Sequence, residues 1–358
     1  MNPNFLDFIS LSTDERSDIF NLKSEQLNIL PIYVEKDFWV CVALDILYNG
    51  LSKKEHPCFL FKGGTSLSKV YNLIERFSED IDITIFREYF GFTGDKDPST
   101  NEISGKQRRV LIQEVIEKTN EFVQGKLKDD LENIINTFSS ECSLVLDDLT
   151  DDEKNPTLLL QYPSLFESEN IAYVQSRIKL EFGGRSGYIP YEECTITPFI
   201  DDLFVEKDFS VGGITTLRPE RTFWEKILIL HGQCCRYRDE KKLPIDRNRL
   251  SRHYYDIAMI SRTEIGNKAI NNIKLQTDVK QHTEKFFKRA WMKLEEAIPG
   301  GFLIVPRDEL LLNKFKEDYQ DMQMMMLGEA PDFDTLVTDI KTLEEKINTI
   351  PDPENQSY

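Results

Sequence analysis

The segment FKGGTSLSKVYNLIERFSEDIDITI, residues 61–85, decides the fold. Its first residues end a short apolar run that is typical of a buried strand, and Gly63 and Gly64 interrupt that run. The residues that follow predict a helix, because four apolar side chains share one helical face: Leu67, Val70, Tyr71 and Ile74. The last residues alternate isoleucine with Asp80, Asp82 and Thr84, which is the period of a strand. The segment therefore predicts a strand, a glycine turn, a helix and a second strand, in that order.

Each part of this segment has a chemical use. Two glycines allow a backbone to approach a ligand closely, because no Cβ stands in the way. The helix that begins there directs free N–H groups at the same spot, which suits a phosphate. Asp80 and Asp82 project from one face of their strand, and paired carboxylates are typical Mg²⁺ ligands that also bridge to substrate phosphates. The predicted nucleotide-binding residues here are Lys62, Gly63, Gly64, Thr65 and Ser66, the last two through their hydroxyl groups.

A second predicted strand, residues 173–182, could complete the site. Its apolar and polar side chains alternate strictly, with Lys179 and Glu181 on the polar face. Glu181 would be a third carboxylate, which would let two metal ions clamp the attacking and leaving oxygens of an in-line displacement. Lys179 could contact a phosphate. A plainer interpretation stays open, in which Glu181 is a surface residue paired with Lys179 and the two aspartates lie on a solvated strand face.

Composition restricts the class of protein. The 358 residues include 44 Lys and Arg against 62 Asp and Glu, and the formal net charge of −18 argues against a general nucleic-acid coat. A local basic groove stays possible, because binding depends on where the charge lies. No apolar run is long enough for a membrane span, and the first residues lack a secretory signal. The six cysteines have no CxxC spacing, which argues against a zinc site and indicates a reduced, cytoplasmic protein.

The C-terminal part predicts a mostly helical region. Pro219 suits the first turn of a helix, PERTFWEKILILH, which is predicted to end at Gly232. A last predicted helix, 333–350, carries an apolar face that would pack on its own domain or bind a partner.

A local cluster of positive charge follows the Pro219 helix. Its cations are Arg236, Arg238, Lys241, Lys242, Arg247, Arg249 and Arg252. Only three acids oppose them, Asp239, Glu240 and Asp246. This basic segment could line a groove for an RNA backbone, with Tyr237, Tyr254 and Tyr255 stacked on unpaired bases. The alternative is a solvated loop and helix start with buried tyrosines.

Residues 61–85 resemble the signature of the polymerase-β-type nucleotidyltransferase superfamily, in which Gly-Gly or Gly-Ser precedes Asp-apolar-Asp. More narrowly, the chain resembles the AbiEii/AbiGii abortive-infection toxin family. Three further segments carry this likeness: RPERTFWEKILILHG (218–232), SRHYYDIAMI (251–260), and residues 318–348. The resemblance therefore covers most of the chain.

The resemblance implies roles for particular residues. Gly63, Gly64 and Ser66 would hold a triphosphate, while Asp80, Asp82 and Glu181 would bind the metals and serve as the catalytic acids. Lys226 would contact a nucleotide phosphate, and Asp256 would lie near the same pocket and orient Lys226 or the acceptor. Plainer alternatives stay open: Lys226 could be a solvated residue paired with Glu225 or Thr222, and Asp256 could pair with Arg252 one turn away.

The resemblance also implies an activity and its partners. The expected enzyme is a toxin of a bacterial toxin–antitoxin or phage-defence system that uses Mg²⁺ or Mn²⁺ and transfers a nucleotide from a nucleoside triphosphate. The acceptor would be a tRNA 3′ end or a protein, and the partner would be a cognate antitoxin. Two alternatives are a small-molecule (antibiotic) nucleotidyltransferase and a non-catalytic nucleotide- or RNA-binding module.

The expected fold is α/β (α+β), a nucleotidyltransferase core with a mixed sheet and a helical C-terminal lobe. The predicted segments are N-terminal helices packed on the core (1–54), the core (55–215), the helical lobe (216–350) and a flexible tail (351–358).

Overall fold

The computed structural model describes residues 1–78, 80–147, 155–166, 176–244 and 249–351. The chain divides into two compact units. The first unit contains Met1–Val70 and Phe77–Leu217, and the second contains Tyr71–Arg76 and Arg218–Tyr358. The six residues 71–76 thus belong to the second unit although both of their neighbours along the chain belong to the first. The four segments predicted from the sequence contain no such excursion, and their boundaries stay a prediction.

A mixed seven-stranded sheet is the centre of the first unit, as the fold prediction expected. Its strands are β1 (Phe59–Lys62), β2 (Asp80–Ile85), β3 (Ser143–Leu146), β4 (Thr157–Gln161), β5 (Arg177–Gly183), β6 (Tyr191–Ile196) and β7 (Val211–Leu217). They lie in the order β3-β4-β5-β2-β1-β7-β6. β2 pairs in parallel with β5, and β1 with β7, while the other neighbours are antiparallel. Residues 173–175 of the predicted second strand lie outside the described residues.

Six α-helices belong to the first unit within the described ranges. They are α1 (Pro3–Ile9), α2 (Thr13–Leu27), α3 (Pro31–Asp45), α4 (Gly63–Lys69), α5 (Gly105–Phe122) and α6 (Lys128–Ile135). α3 is buried along nearly its whole length and contacts β5 and β7. The alternation of β2 and β5 places Ile81, Ile83 and Leu180 in the same core, so the opposite face of both strands carries the polar side chains.

The second unit is helical where it is described, as predicted. Its helices are α7 (Pro219–Glu240), α8 (Ser251–Ser261), α9 (Glu264–Asn271), α10 (Ile273–Phe286), α11 (Glu309–Met322) and α12 (Phe333–Asn348). The apolar face predicted for the last helix is buried, so that face is part of the core. No helix of the described residues is long and apolar enough to cross a membrane.

Two helix ends differ from the sequence-based prediction. α7 does not end at Gly232 but continues for eight residues beyond it. Gly232 serves close packing, because a Cβ there would approach Trp291 and Met292 to within 3.1–3.3 Å. α4 ends at Lys69, although its apolar pattern predicted a helix as far as Ile74. Asn72 takes a left-handed conformation (φ 50°), which no α-helix accommodates.

Candidate active site

The polar face of β2 and β5 gathers the predicted catalytic acids. In the parallel register of these strands, Asp80 lies opposite Lys179 and Asp82 lies opposite Glu181. On the other side of β2, the antiparallel register with β1 places Lys62 opposite Asp82. Directly opposed residues of neighbouring strands project from the same face. Lys62, Asp82 and Glu181 therefore form a row across three strands, with Asp80 and Lys179 beside it.

Gly63 lies against this row. It follows β1 directly and has φ +81°, a conformation that favours glycine. A Cβ at this position would lie 2.0 Å from Oδ2 of Asp82. The Asp82 carboxylate thus occupies the space that any other residue at position 63 would need for its side chain, and the glycine turn fixes where that carboxylate lies.

The hydroxyl groups of Thr65 and Ser66 are bound within the protein. The Thr65 hydroxyl donates to the backbone carbonyl of Asp80, and the Ser66 hydroxyl donates to the carbonyl of Gly63 over 2.9 Å. Both side chains are buried. These bonds attach the first turn of α4 to the glycine turn and to the start of β2. A direct contact of either hydroxyl with phosphate stays a prediction.

Two lysines neutralise the carboxylates of the row. Lys179 forms an ion pair with Glu181, and Nζ of Lys62 lies 3.9 Å from Oδ1 of Asp82. Partial burial lowers the pKa of Lys179, but Glu181 and Asp80 outweigh that effect and hold this pKa above its ordinary value. The Lys179–Glu181 pair is the one that the plainer interpretation expected, and the strand register nevertheless leaves Glu181 beside Asp82.

The donor set of this row suits a hard divalent cation, because Asp80, Asp82 and Glu181 offer carboxylate oxygens that are partly accessible. Among the residues that the structure describes, however, no three acidic, histidine or cysteine side chains converge closely enough to hold a metal. Glu181 is paired with Lys179 and Asp82 lies near Lys62, so these two carboxylates already have cationic neighbours. The residues therefore fit a metal in the kind of donor atom that they offer.

The second unit contains a buried ionic cluster, formed by Arg76, Lys226, His253 and Asp256. Nε and one terminal nitrogen of Arg76 donate to the two carboxylate oxygens of Asp256 over 2.7 and 2.8 Å. Nζ of Lys226 lies 3.0 Å from Oδ2 of Asp256 and 3.1 Å from Nδ1 of His253. All four side chains are buried. Lys226 is therefore not a solvated helix residue, and within the described chain Asp256 pairs with Arg76 and Lys226 rather than with Arg252.

The protonation states follow from this geometry. Burial raises the pKa of Asp256, but Arg76 and Lys226 outweigh it and hold this pKa well below its usual range. Burial and the neighbouring Lys226 lower the pKa of His253 far below 6.5. His253 is thus neutral at pH 7, and its Nδ1 can accept a hydrogen bond from the Lys226 ammonium group. Burial also lowers the pKa of Lys226, with a contribution of the same sign from Arg76 and Arg252.

Most cations of the basic segment have acidic neighbours in the structure. Arg238 pairs with Asp239 and Glu296, and the others that pair are Arg236 with Glu240, Lys241 with Asp308 and Lys242 with Glu240. Arg249 has a partner as well, and Arg247 lies outside the described residues. Tyr237, Tyr254 and Tyr255 are buried, so they are core residues and are not available to stack on bases.

Comparison with known proteins gives the class and the family. Residues 45–339 match the family described as nucleotidyl transferase AbiEii toxin, type IV toxin–antitoxin system. Because this match spans most of the chain, the protein is a nucleotidyltransferase, and it belongs to the AbiEii family of toxins. The family prediction is thereby confirmed. Membership implies a nucleoside triphosphate substrate and a cognate antitoxin.

Among the solved structures that are similar, we note one that matches over nearly its full length. It is MenT4, a nucleotidyltransferase toxin from Mycobacterium tuberculosis H37Rv, with 16% sequence identity and a TM-score of 0.48; the match covers 94% of this chain and 91% of that chain. No curated protein is significantly similar in sequence.

Gly63→Ala should inactivate the enzyme, because the added Cβ must displace the Asp82 carboxylate. Gly91→Ala is the matched control: Gly91 has φ +82°, and its Cβ would meet nothing within 4 Å. Both substitutions carry a similar backbone strain of about 1–2 kcal/mol, so denaturant unfolding should show comparable losses. Nucleotidyl transfer should fall only in Gly63→Ala. Equal activity of the two variants would contradict the role given to this contact.

Asp256→Asn should destabilise the second unit by about 3–5 kcal/mol, because it leaves Arg76 and Lys226 buried without a counter-charge. The control Asp239→Asn removes a carboxylate from an exposed pair and should leave the free energy of unfolding nearly unchanged. Folding lowers the pKa of Asp256. The contribution of this carboxylate to the free energy of unfolding is therefore complete above its unfolded pKa of about 4, and it is lost as the pH falls toward the folded pKa. Urea unfolding should show a constant deficit between pH 5 and 7 and a smaller one below about pH 4. A deficit no larger than that of the control would refute this account of the cluster.

Proposed function

We propose that this toxin is a metal-dependent enzyme that transfers a nucleoside monophosphate from a nucleoside triphosphate to the 3′ end of tRNA. The observation that carries the proposal is the row of Lys62, Asp82 and Glu181 across three strands, with Asp80 beside it and Gly63 packed on Asp82. Carboxylates that lie side by side on neighbouring strands, next to lysines and to a backbone position without a side chain, suit a substrate that brings both phosphate and a divalent cation. The enzyme would act in the cytoplasm, where both of its proposed substrates occur.

Asp80, Asp82 and Glu181 would hold the metal, Mg²⁺ or Mn²⁺, which when bound would neutralise charge on the triphosphate and the departing pyrophosphate. Lys62 and Lys179 would exchange their carboxylate partners for phosphate oxygens. The backbone at Gly63 and Gly64 would let the triphosphate approach the sheet closely.

The reaction forms one bond and breaks one. The acceptor hydroxyl oxygen attacks the α-phosphorus, the bond from that phosphorus to the bridging oxygen breaks, and pyrophosphate leaves. One carboxylate of the row accepts the hydroxyl proton. No covalent intermediate forms between the enzyme and the nucleotide. The rate therefore depends on how well these side chains position the substrate and stabilise its charge.

Lys226 would bind a phosphate, as the family resemblance implies. Asp256 and His253 support this role, because both accept hydrogen bonds from the ammonium group and fix its direction. Asp256 would act as a positioning residue, held by its two bonds from Arg76.

The tRNA acceptor is supported by the basic segment, in which seven cations lie among three acids. Its ion pairs are largely exposed, for example Arg238 with Asp239 and Lys242 with Glu240. Exposed pairs contribute about 0–1 kcal/mol each, so phosphates can replace the acids at little cost.

A transfer assay tests the proposal. Purified protein, Mg²⁺ and each α-labelled nucleoside triphosphate are incubated with total bacterial tRNA, and the RNA is resolved on a denaturing gel. The wild type should label tRNA, and Asp80→Asn and Asp82→Asn should lower the yield by about 10²–10³-fold. Asp129→Asn, an exposed aspartate of α6, is the control for lost charge and should keep full activity.

Each other outcome has a definite meaning. Label on protein instead of RNA would mean that the acceptor is a protein and that the transfer reaction is otherwise as proposed. Label on a small molecule would indicate an antibiotic-type transferase. Transfer that survives both aspartate variants would refute the site. Absence of transfer together with absence of Mg²⁺-dependent nucleotide binding would leave a non-catalytic binding module.

Lys179→Met should change two affinities in opposite directions. Without nucleotide, Mn²⁺ should bind about fivefold more tightly, because no ammonium group competes for Glu181. The nucleoside triphosphate should bind about tenfold more weakly, because one phosphate partner is lost. Electron paramagnetic resonance of free Mn²⁺ measures the first affinity, and calorimetry measures the second.

Lys128→Met is the matched control for this experiment. Lys128 pairs with Glu132 on α6, and both members are about as exposed as Lys179 and Glu181. It should leave both affinities unchanged. Weaker Mn²⁺ binding in Lys179→Met than in the wild type would show that Lys179 does not compete for the metal position.

A further inference from the structure

One turn before Lys226 on α7, Thr222 is a buried residue whose hydroxyl has no hydrogen-bond partner among the described residues. Threonine in a helix usually satisfies its hydroxyl on the backbone carbonyl one turn earlier. The Thr222 hydroxyl makes no such bond in the described chain. A buried polar group without a hydrogen-bond partner lowers the stability of the fold. Valine has nearly the same shape and would avoid that cost.

Lys226 lies among the groups of the buried ionic cluster. Within the buried ionic cluster, Arg76 and Lys226 are cations, Asp256 is the single carboxylate and His253 is neutral. Two of the three Lys226 protons point to Asp256 and His253, which leaves one donor for another group.

Arg252 is a further cation near Lys226. It lies next to His253 on α8 and one turn before Asp256 on the same face, and it is close enough to affect Lys226 electrostatically. No hydrogen bond or ion pair joins its guanidinium group to the rest of the described chain. Its side chain is only partly exposed.

We infer that Thr222 and Arg252 complete, around Lys226, a binding site for a phosphate group. The spare ammonium proton and the guanidinium group, which has no partner in the described chain, are donors, and the Thr222 hydroxyl can donate as well, whereas a phosphate at pH 7 offers mainly acceptor oxygens. The inference deepens the proposed function, which gives Lys226 alone a phosphate contact. The phosphate has two possible sources, the nucleoside triphosphate and the RNA backbone.

Binding to Thr222→Val tests the site without any need for turnover. The probes are inorganic tripolyphosphate, a nucleoside triphosphate and a tRNA, each titrated calorimetrically at one fixed ionic strength. Without ligand, Thr222→Val should have a melting temperature no lower than that of the wild type. Its affinity for at least one of the three probes should fall about tenfold. Thr222→Ser keeps the hydroxyl and should bind within about twofold of the wild type.

Thr119→Val is the matched control. Thr119 also lies in a helix, α5, and its buried hydroxyl also lacks a partner among the described residues, but it belongs to the first unit and not to the buried ionic cluster of the second. It should melt like Thr222→Val and bind every probe like the wild type. A second comparison uses charge: Arg252→Gln should weaken binding about tenfold, whereas Arg262→Gln, which removes an exposed arginine paired with Asp339, should not.

The probes identify the source of the phosphate. If Thr222→Val loses affinity only for tripolyphosphate and the nucleotide, the site binds the triphosphate. If it loses affinity only for tRNA, the site binds the RNA backbone. Unchanged binding of all three probes in Thr222→Val would overturn the inference. So would a loss of affinity that Thr222→Ser shares, because the cause would then be packing. These results do not depend on Asp80 or Asp82, so failure of the transfer assay would leave them interpretable.

Discussion

The carboxylate of Asp82 lies against the Cα of Gly63, where a Cβ would come within 2.0 Å of Oδ2. This contact joins the end of β1 to the beginning of β2, and the antiparallel register of the two strands brings Lys62 opposite the same aspartate. The parallel pairing with β5 then places Glu181 on the other side of Asp82. A position without a side chain thus leaves room for the Asp82 carboxylate, and the strand registers place the other charged groups of the row around it.

Each unit holds a group of charged residues that suits one part of the proposed substrate. In the first unit, Lys179 pairs with Glu181 and Lys62 lies near Asp82, so these carboxylates have cationic neighbours. In the second unit, Lys226 is buried beside Asp256 and His253, where a further anion would interact with it more strongly than in water. Under the proposed function, a divalent cation would bind the carboxylates of the first unit, and a phosphate would bind at Lys226.

The strand-borne part of the site could be predicted from the sequence, because alternation along one strand decides which side chains share a face. Asp80, Asp82, Lys179 and Glu181 lie on the predicted face. The register between strands could not be predicted, and it alone places Glu181 opposite Asp82. β6 and β7 were missed, since β6 is mostly exposed and β7 contains two glycines that weaken a strand pattern.

The buried ionic cluster could not be predicted either. Arg76 and Asp256 are 180 residues apart in the chain, and no local pattern relates them. The nearer candidate, Arg252, follows the rule for residues one turn apart but makes no such pair in the described chain. The same distant contact explains the early end of α4, because residues 71–76 belong to the second unit rather than to a longer helix. Thr222 carried no signal in the sequence, since an unsatisfied hydroxyl is visible only once its surroundings are known.

The most direct test of the central claim is a crystal structure of the full chain with Mn²⁺ and a non-hydrolysable nucleoside triphosphate, read from the anomalous signal of manganese. The account predicts a manganese peak bound by Asp80, Asp82 and Glu181, with the Lys179–Glu181 pair broken and Lys179 on a phosphate oxygen. A manganese–nucleotide complex bound elsewhere, with that ion pair intact, would contradict it.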